Sequence, residues 1–341
     1  MTTETLSFLK VLNWTPDECR AFLESQRWPN GPVCPDCGTL EPSVVTRRTR
    51  TKNLVQKLYA CRACRRQFTV TVGTIFEDSH IPLNKWLAAI MLMCSSKKGI
   101  SAHQLWRLLW PSVGGKQTGS YRTAWYMAHR IREAMSDKMP LPLAGTVEAD
   151  ATFVGGNTRR GHPVYHERIQ DEISLGLRRK DGTPCVHGLK GKPHPRTFKA
   201  PVFGMAERGG NVRTVVLQGN DESGTEIRPI LRQNLEPSVR LITDAHGAYR
   251  AIKKYVRHDV IKHEIAYVDG DVHTQNIESH WSLLKRGMVG TFHHVSRGYL
   301  PMYLSEFQYR WNSRQISDAE RFAALLRQTQ GRLAWRAKKQ A

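Results

Sequence analysis

Thr146-Val-Glu-Ala-Asp150-Ala-Thr-Phe-Val154-Gly155-Gly156 is the stretch on which the larger half of this chain turns. Apolar and polar residues alternate in part, as on a half-buried strand, and the two glycines end it. A second apolar run, Val239-Arg-Leu-Ile-Thr243, predicts a buried strand that ends on Asp244. Between them, residues 200–206 and 212–217 flank Glu207-Arg-Gly-Gly-Asn211, which reads as a hairpin with a glycine turn. A helix is expected over 225–235, a short one near 248–255, a further strand at 263–268, and mainly helix from 276 to about 335. An aspartate at a strand end is most often a turn residue, so neither Asp150 nor Asp244 means much alone.

A third stretch changes their weight: His273-Thr-Gln-Asn276-Ile-Glu278-Ser-His-Trp281-Ser-Leu-Leu-Lys285-Arg286. Glu278 follows Asp244 by 34 positions, and Lys285 follows Glu278 by seven, close to two helical turns, so the pair shares one helix face. Hard Mg²⁺ or Mn²⁺ ions prefer carboxylate oxygens together with phosphate oxygens and water. Two such ions activate a water or a 3′-hydroxyl and stabilise the leaving oxygen of an in-line displacement at phosphorus. Lys285 is placed to grip a nearby phosphate, with Arg286 beside it. His246, His273, His280, His293 and His294 fall near these motifs, where neutral histidines are mostly structural. Trp281 is spaced to pack beneath the helix.

Towards the N-terminus, Cys34-Pro-Asp-Cys37 and Cys61-Arg-Ala-Cys64 stand 23 residues apart. Each Cys-x-x-Cys forms a knuckle that presents two thiolates, and two knuckles complete a closed tetrahedral Zn²⁺ site. Gly38 gives the first knuckle its turn, and Phe68 with Thr69-Val-Thr-Val72 suits a returning strand. A redox dithiol needs one pair rather than two. Cys19, Cys94 and Cys185 show no pairing pattern and read as free thiols.

Composition sets the frame. The 341 residues suffice for two or three domains, and a 40% hydrophobic content excludes global disorder. Lys and Arg number 51 against 30 Asp and Glu, a net charge of +21 that favours a polyanionic partner. Charge alone would also suit a ribosomal protein. Residues 1–14 lack the blocks of a secretion signal, and the apolar run 86–94 is too short to span a bilayer. A cytoplasmic, nucleoid-associated protein is expected.

Residues 85–94, 101–109 and 121–135 carry helical patterns, with Ser101 at an N-cap position. Two of these helices, parted by Trp110-Pro-Ser-Val-Gly-Gly115, are compatible with helix-turn-helix DNA binding. Residues 157–199 read as an insertion between strands. Ten basic residues there, Arg159, Arg160, Arg178, Arg179 and Lys180 among them, face four acidic ones. It is either a solvated loop or a phosphate-contacting one.

The chain resembles the bacterial insertion-sequence transposases that join an N-terminal zinc ribbon to a DDE-type, ISXO-like catalytic domain. The resemblance rests on Val70-Thr-Val-Gly-Thr-Ile-Phe76, Ser96-Lys-Lys-Gly-Ile-Ser101, Thr123-Ala-Trp125, residues 147–156, Thr243-Asp-Ala-His246, residues 276–294 and residues 303–312. It implies a multidomain α+β protein: a zinc ribbon in 1–78, a helical, helix-turn-helix-like region in 79–140, an RNase H-like α/β catalytic domain in 141–325 and a basic tail in 326–341. It implies Asp150 and Asp244 as the first two catalytic acids and Lys285 as the trailing cation. For the third ligand, Glu and Asn both occur, and Glu278 and Asn276 both stand here; carboxylate charge and the step to Lys285 favour Glu278. The acid that usually follows the first Asp is replaced by Ala151. The implied partners are double-stranded DNA, as terminal inverted repeats and target, and further copies of the chain on that DNA. The implied cofactors are structural Zn²⁺ and catalytic Mg²⁺ or Mn²⁺.

Other readings make different demands. A non-cutting DNA-binding descendant would have lost an acid, and all are present. A zinc-ribbon transcription factor needs no large acid-bearing region, and a cellular RNase H-like nuclease or junction resolvase would share the acids without the long matched stretches.

Overall fold

The cysteine-bearing segment forms a small antiparallel sheet in which β1 (Ser43–Arg48) pairs with β2 (Val55–Ala60) and β2 with β3 (Gln67–Phe68). In the computed structural model, residues 6–40, 42–48, 55–155, 199–219, 222–262 and 268–331 are described. Trp28 packs edge-on against Tyr59 and Phe68, with ring centroids 5.4 and 6.0 Å away. The returning strand is shorter than predicted. After Phe68 the chain turns, with Val72 N–H on Thr69 O and the Thr69 and Thr71 hydroxyls joined at 2.7 Å. Threonine side chains that bond locally compete with ladder formation. A helix that sequence reading did not anticipate, Pro16–Arg27, begins with a Thr15/Glu18 capping box and a proline in the first turn.

The three predicted helices appear as Leu83–Ser95, Ala102–Leu109 and Tyr121–Ala134. Ser101 caps the second, its hydroxyl accepting from Gln104 N–H at 3.1 Å. The break that follows holds a two-stranded hairpin, β4 (Ser112–Val113) with β5 (Lys116–Gln117), where a helix-turn-helix has only a short turn.

Contacts divide the chain into two units, 1–137 with 313–341 and 138–312. The second unit ends at Asn312, before the 325 expected for the catalytic region. The helix Asp318–Arg327 belongs to the first unit, where Phe322 stacks on Phe22 at 5.8 Å and Thr329 O accepts from Ile75 N–H. Burial of that helix's apolar face against the N-terminal helix is a long-range event with no local signature.

The second unit is built on a sheet of β6 (Thr146–Val154), β7 (Ala200–Glu207), β8 (Val212–Val216), β9 (Arg240–Asp244) and β10 (Arg257–Ile261), in the spatial order β10-β9-β6-β7-β8. β6, β7 and β8 run antiparallel in sequence, and β9 and β10 join parallel on the other side of β6. The hairpin closes at the predicted turn, Glu207 N–H on Asn211 O at 2.8 Å. The fifth strand lies earlier than the predicted 263–268, of which 263–267 fall outside the described residues. Its Arg-His-Asp-Val-Ile sequence buries only Ile261 and sits at a sheet edge, so it lacks the apolar signal sought.

Odd-numbered residues of β6 face one core, where Val147 and Ala149 meet Phe203, Met205, Ile227 and Leu231. The helix Gly224–Asn234 covers this side. The other face meets the helices Gln275–Gly287 and Leu300–Asn312, with Val202, Ile277, Trp281 and Phe307 in a second core. Among the described residues no helix is long and apolar enough to cross a membrane.

Candidate active site and metal centre

In the ribbon, Cys34 Sγ lies 3.7 Å from Cys64 Sγ and Cys37 Sγ lies 3.5 Å from Cys61 Sγ, and all four sulfurs fall within 4.8 Å of one another. A tetrahedron with metal–sulfur bonds of ~2.3 Å has edges of ~3.8 Å, so the four-cysteine cluster fits Zn²⁺. The knuckles are built alike. Cys34 O and Cys61 O accept from Gly38 and Arg65 N–H, each at 3.0 Å. Hydrogen bonding from Thr39 pulls the Cys37 thiol down to about 6, towards the thiolate that a metal takes. Cys19 and Cys94 are buried and belong to no disulfide, and Cys185 lies outside the described residues.

In the second unit, the parallel register pairs Ala149 with Thr243, so Asp150 and Asp244 follow side by side on adjacent strands. Equivalent positions of paired strands share a face, and the helix carrying Glu278 and Lys285 covers that face. Asp150 is half-buried. Burial, joined by the charges of Asp244 and Glu278 and opposed by a backbone N–H and the Trp281 indole, pushes its carboxyl up to about 6. Trp281 Nε1 donates to Asp150 Oδ2 at 3.0 Å. Gly204 stands opposite Asp150 in the ladder, where a Cβ would lie 2.5 Å from the Trp281 ring. Only glycine lets the indole lie over the strand and reach the acid.

Asp244 Oδ1 accepts from His246 N–H at 3.1 Å, and Glu278 Oε1 from the Thr274 hydroxyl at 2.6 Å. Asn276 is engaged elsewhere: its amide nitrogen donates to Glu148 at 2.8 Å. Ala151 faces the opposite core, so an acid there would point away from the Asp150 side. A cavity of about 550 Å³ opens beside the end of β6, lined among others by Thr152, Lys199, Glu222, Lys285, His293 and His294. At its edge His293 has a positive φ of 60°, in a tight turn closed by His294 N–H on Phe292 O at 2.6 Å.

Lys285 and Arg286 are exposed on the last turn of the helix. Arg159, Arg160, Arg178, Arg179 and Lys180 lie outside the described residues. His280 is buried beside Trp281 and Trp311, and burial holds it neutral, its pKa lowered to about 3. Sequence reading missed Glu148, Arg208, Gly204 and Thr274. Glu148 left one signal, an acid on the same face of a strand as Asp150.

The chain thus carries a four-cysteine ribbon and a mixed sheet with Asp150 and Asp244 on adjacent strands, and the comparisons name the family. The model of the ISXO2-like transposase domain matches residues 142–312, nearly the whole second unit, and that of the transposase zinc-ribbon domain matches 15–67. A protein of Halobacterium salinarum, described as an uncharacterized protein in transposable element ISH50, is 30% identical over 292 residues, covering 85% of this chain and 88% of that one. No solved structure matches. This chain belongs to the ISXO2-like transposase family.

Proposed function

We propose that this chain is an insertion-sequence transposase that binds the terminal inverted repeats of its element, cuts the DNA ends and joins them to target DNA, using Mg²⁺ or Mn²⁺ at Asp150, Asp244 and Glu278. The observation that carries this reading is the register of β6 against β9, which sets Asp150 beside Asp244 under the helix that bears Glu278. The strand order β8-β7-β6-β9-β10, with three antiparallel strands followed by two parallel ones, supports an RNase H-like domain.

The donor set suits a hard divalent cation, since it is all carboxylate and includes an acid whose charge burial disfavours until a cation compensates it. Metal held there would activate the attacking oxygen and stabilise the leaving one. Lys285, on the same helix and lining the neighbouring cavity, holds a DNA phosphate. Glu278 fills the third place rather than Asn276, because a carboxylate holds a hard divalent ion better than a neutral amide and Lys285 follows Glu278 by two helical turns. The net charge of +21 supports salt-sensitive binding to DNA, on which several copies of the chain would assemble.

The test uses purified protein, a labelled duplex carrying the element's end, and Mg²⁺ or Mn²⁺. Asp150→Asn and Asp244→Asn each lower cleavage and joining on the order of 10³-fold with little change in DNA affinity. Glu278→Gln follows them, and Asn276→Ala loses less. Normal transposition by both aspartate variants overturns the assignment, and cutting without joining would indicate a nuclease.

A further inference from the structure

Glu148 is a carboxylate with no exposed surface, two residues before Asp150 on the same face of β6. A charge in that position persists only if it is fully partnered. Its partners converge from the start of the helix that carries Glu278. Oε2 accepts from the backbone N–H of Asn276 at 2.7 Å and of Ile277 at 3.2 Å. Oε1 accepts from the Asn276 side-chain amide and from Arg208 Nε, both at 2.8 Å. Arg208 also donates to His273 O at 3.1 Å, and His273 Nδ1 lies 3.4 Å from Glu148 Oε1.

The first N–H groups of a helix have no partners within it, and an N-cap side chain usually takes one of them. Thr274 occupies the N-cap position here and makes no such bond; its hydroxyl donates to Glu278 at 2.6 Å instead. The cap comes from the sheet.

We propose that Glu148 is a positioning residue: it caps the helix from β6, fixes that helix against the strand bearing Asp150, and so leaves Thr274 to orient Glu278. The proposal rests on the reading that Asp150, Asp244 and Glu278 form the active centre. A purely structural ion pair would contribute stability alone. A positioning role also sets how the acids meet a cation, and outer groups of that kind commonly change metal affinity or activity about 10–100-fold.

The experiment uses the full chain with Mn²⁺ as the probe, reading melting temperature, half-saturating Mn²⁺ for end cleavage and the rate at saturation. E148Q turns one acceptor oxygen into a donor that faces Asn276 or Arg208, and it raises half-saturating Mn²⁺ about tenfold. N276D alone sets two carboxylates against each other and is also impaired. In E148Q/N276D donor meets acceptor again, and most of the Mn²⁺ response returns. A lower melting temperature in E148Q with an unmoved Mn²⁺ dependence overturns the proposal, as does a double variant no better than E148Q. Should E148Q fail to fold, T274V carries the test, because it leaves the cap intact and removes the bond to Glu278. It shifts half-saturating Mn²⁺ several-fold at an unchanged melting temperature if the proposal holds, and an unmoved value overturns it. D150N separates the two levels. Normal cleavage by D150N removes the active centre itself, whereas loss in D150N beside an unmoved E148Q removes only the role of Glu148.

Discussion

The ribbon and the acid-bearing sheet each gather groups suited to a cation, and they are prepared for it differently. The four sulfurs lie within 4.8 Å of one another, and among the described residues no set of three carboxylates comes so close. Sulfurs that share S–H protons tolerate each other's contact, whereas ionised carboxylates at that range repel strongly in a half-buried setting. The upward shift of Asp150 to about 6 comes first from burial, and the charges of Asp244 and Glu278 add the repulsive part. A closed set of ligands makes a structural site, and a spread one leaves coordination positions for water and substrate.

The most drastic way to break this comparison is to open the closed site. Cys34→Ser removes a ligand from the buried side of the cluster, and a structural zinc is worth ~10–16 kcal/mol of folding free energy in small modules. Zinc content should fall from one ion per chain to near zero. Hydrogen exchange over 34–68 should approach that of an unfolded chain while helix Leu83–Ser95 stays protected. Full protection of the ribbon in zinc-free protein would show that its aromatic packing suffices without metal.

A smaller effect is expected on the open side. Gly204→Ala places a methyl where the Trp281 ring lies, 2.5 Å from a Cβ, so the indole must move and its bond to Asp150 is lost. Overpacking of this kind costs about 1–3 kcal/mol. A denaturant melt should show that loss together with slower end cleavage. Unchanged cleavage in a destabilised variant would mean that Trp281 serves packing alone.

What sequence could reveal follows the same division. Cys-x-x-Cys spacing is a local property, and the ribbon's ligands are legible because each knuckle is built from consecutive residues. The strand Thr146–Val154, the turn at 207–211 and the Ser101 cap are legible for the same reason. Asp150 and Asp244 announce themselves through strands whose apolar patterns are clear, and Glu278 through its spacing to Lys285. Their surroundings are long-range. Glu148 is held by residues 60 to 129 positions away, and Gly204 matters only because a ring from another element lies over it. The β10 strand is polar because it forms an edge, and the helix Asp318–Arg327 joins the first unit through a face that could equally have packed elsewhere.

The smallest effect expected lies inside the ribbon, where the two knuckles differ in the residue that follows each cysteine pair. The position after the second cysteine of each pair has a positive φ, 73° at Gly38 and 61° at Arg65. Glycine adopts that conformation at no steric cost, whereas a side chain there costs roughly 1–2 kcal/mol, offset in part by the greater freedom of glycine in the unfolded chain. A Cβ at Gly38 meets nothing within 4 Å, so Gly38→Ala tests the backbone alone. It should weaken zinc binding by about 1 kcal/mol, roughly five-fold in competition with a chelator. Arg65→Gly should strengthen binding by a similar or smaller amount, because its side chain is exposed and gives up no buried contact. Opposite signs would show that both knuckles are limited by backbone geometry. Equal losses would show that the Arg65 side chain itself contributes to the ribbon.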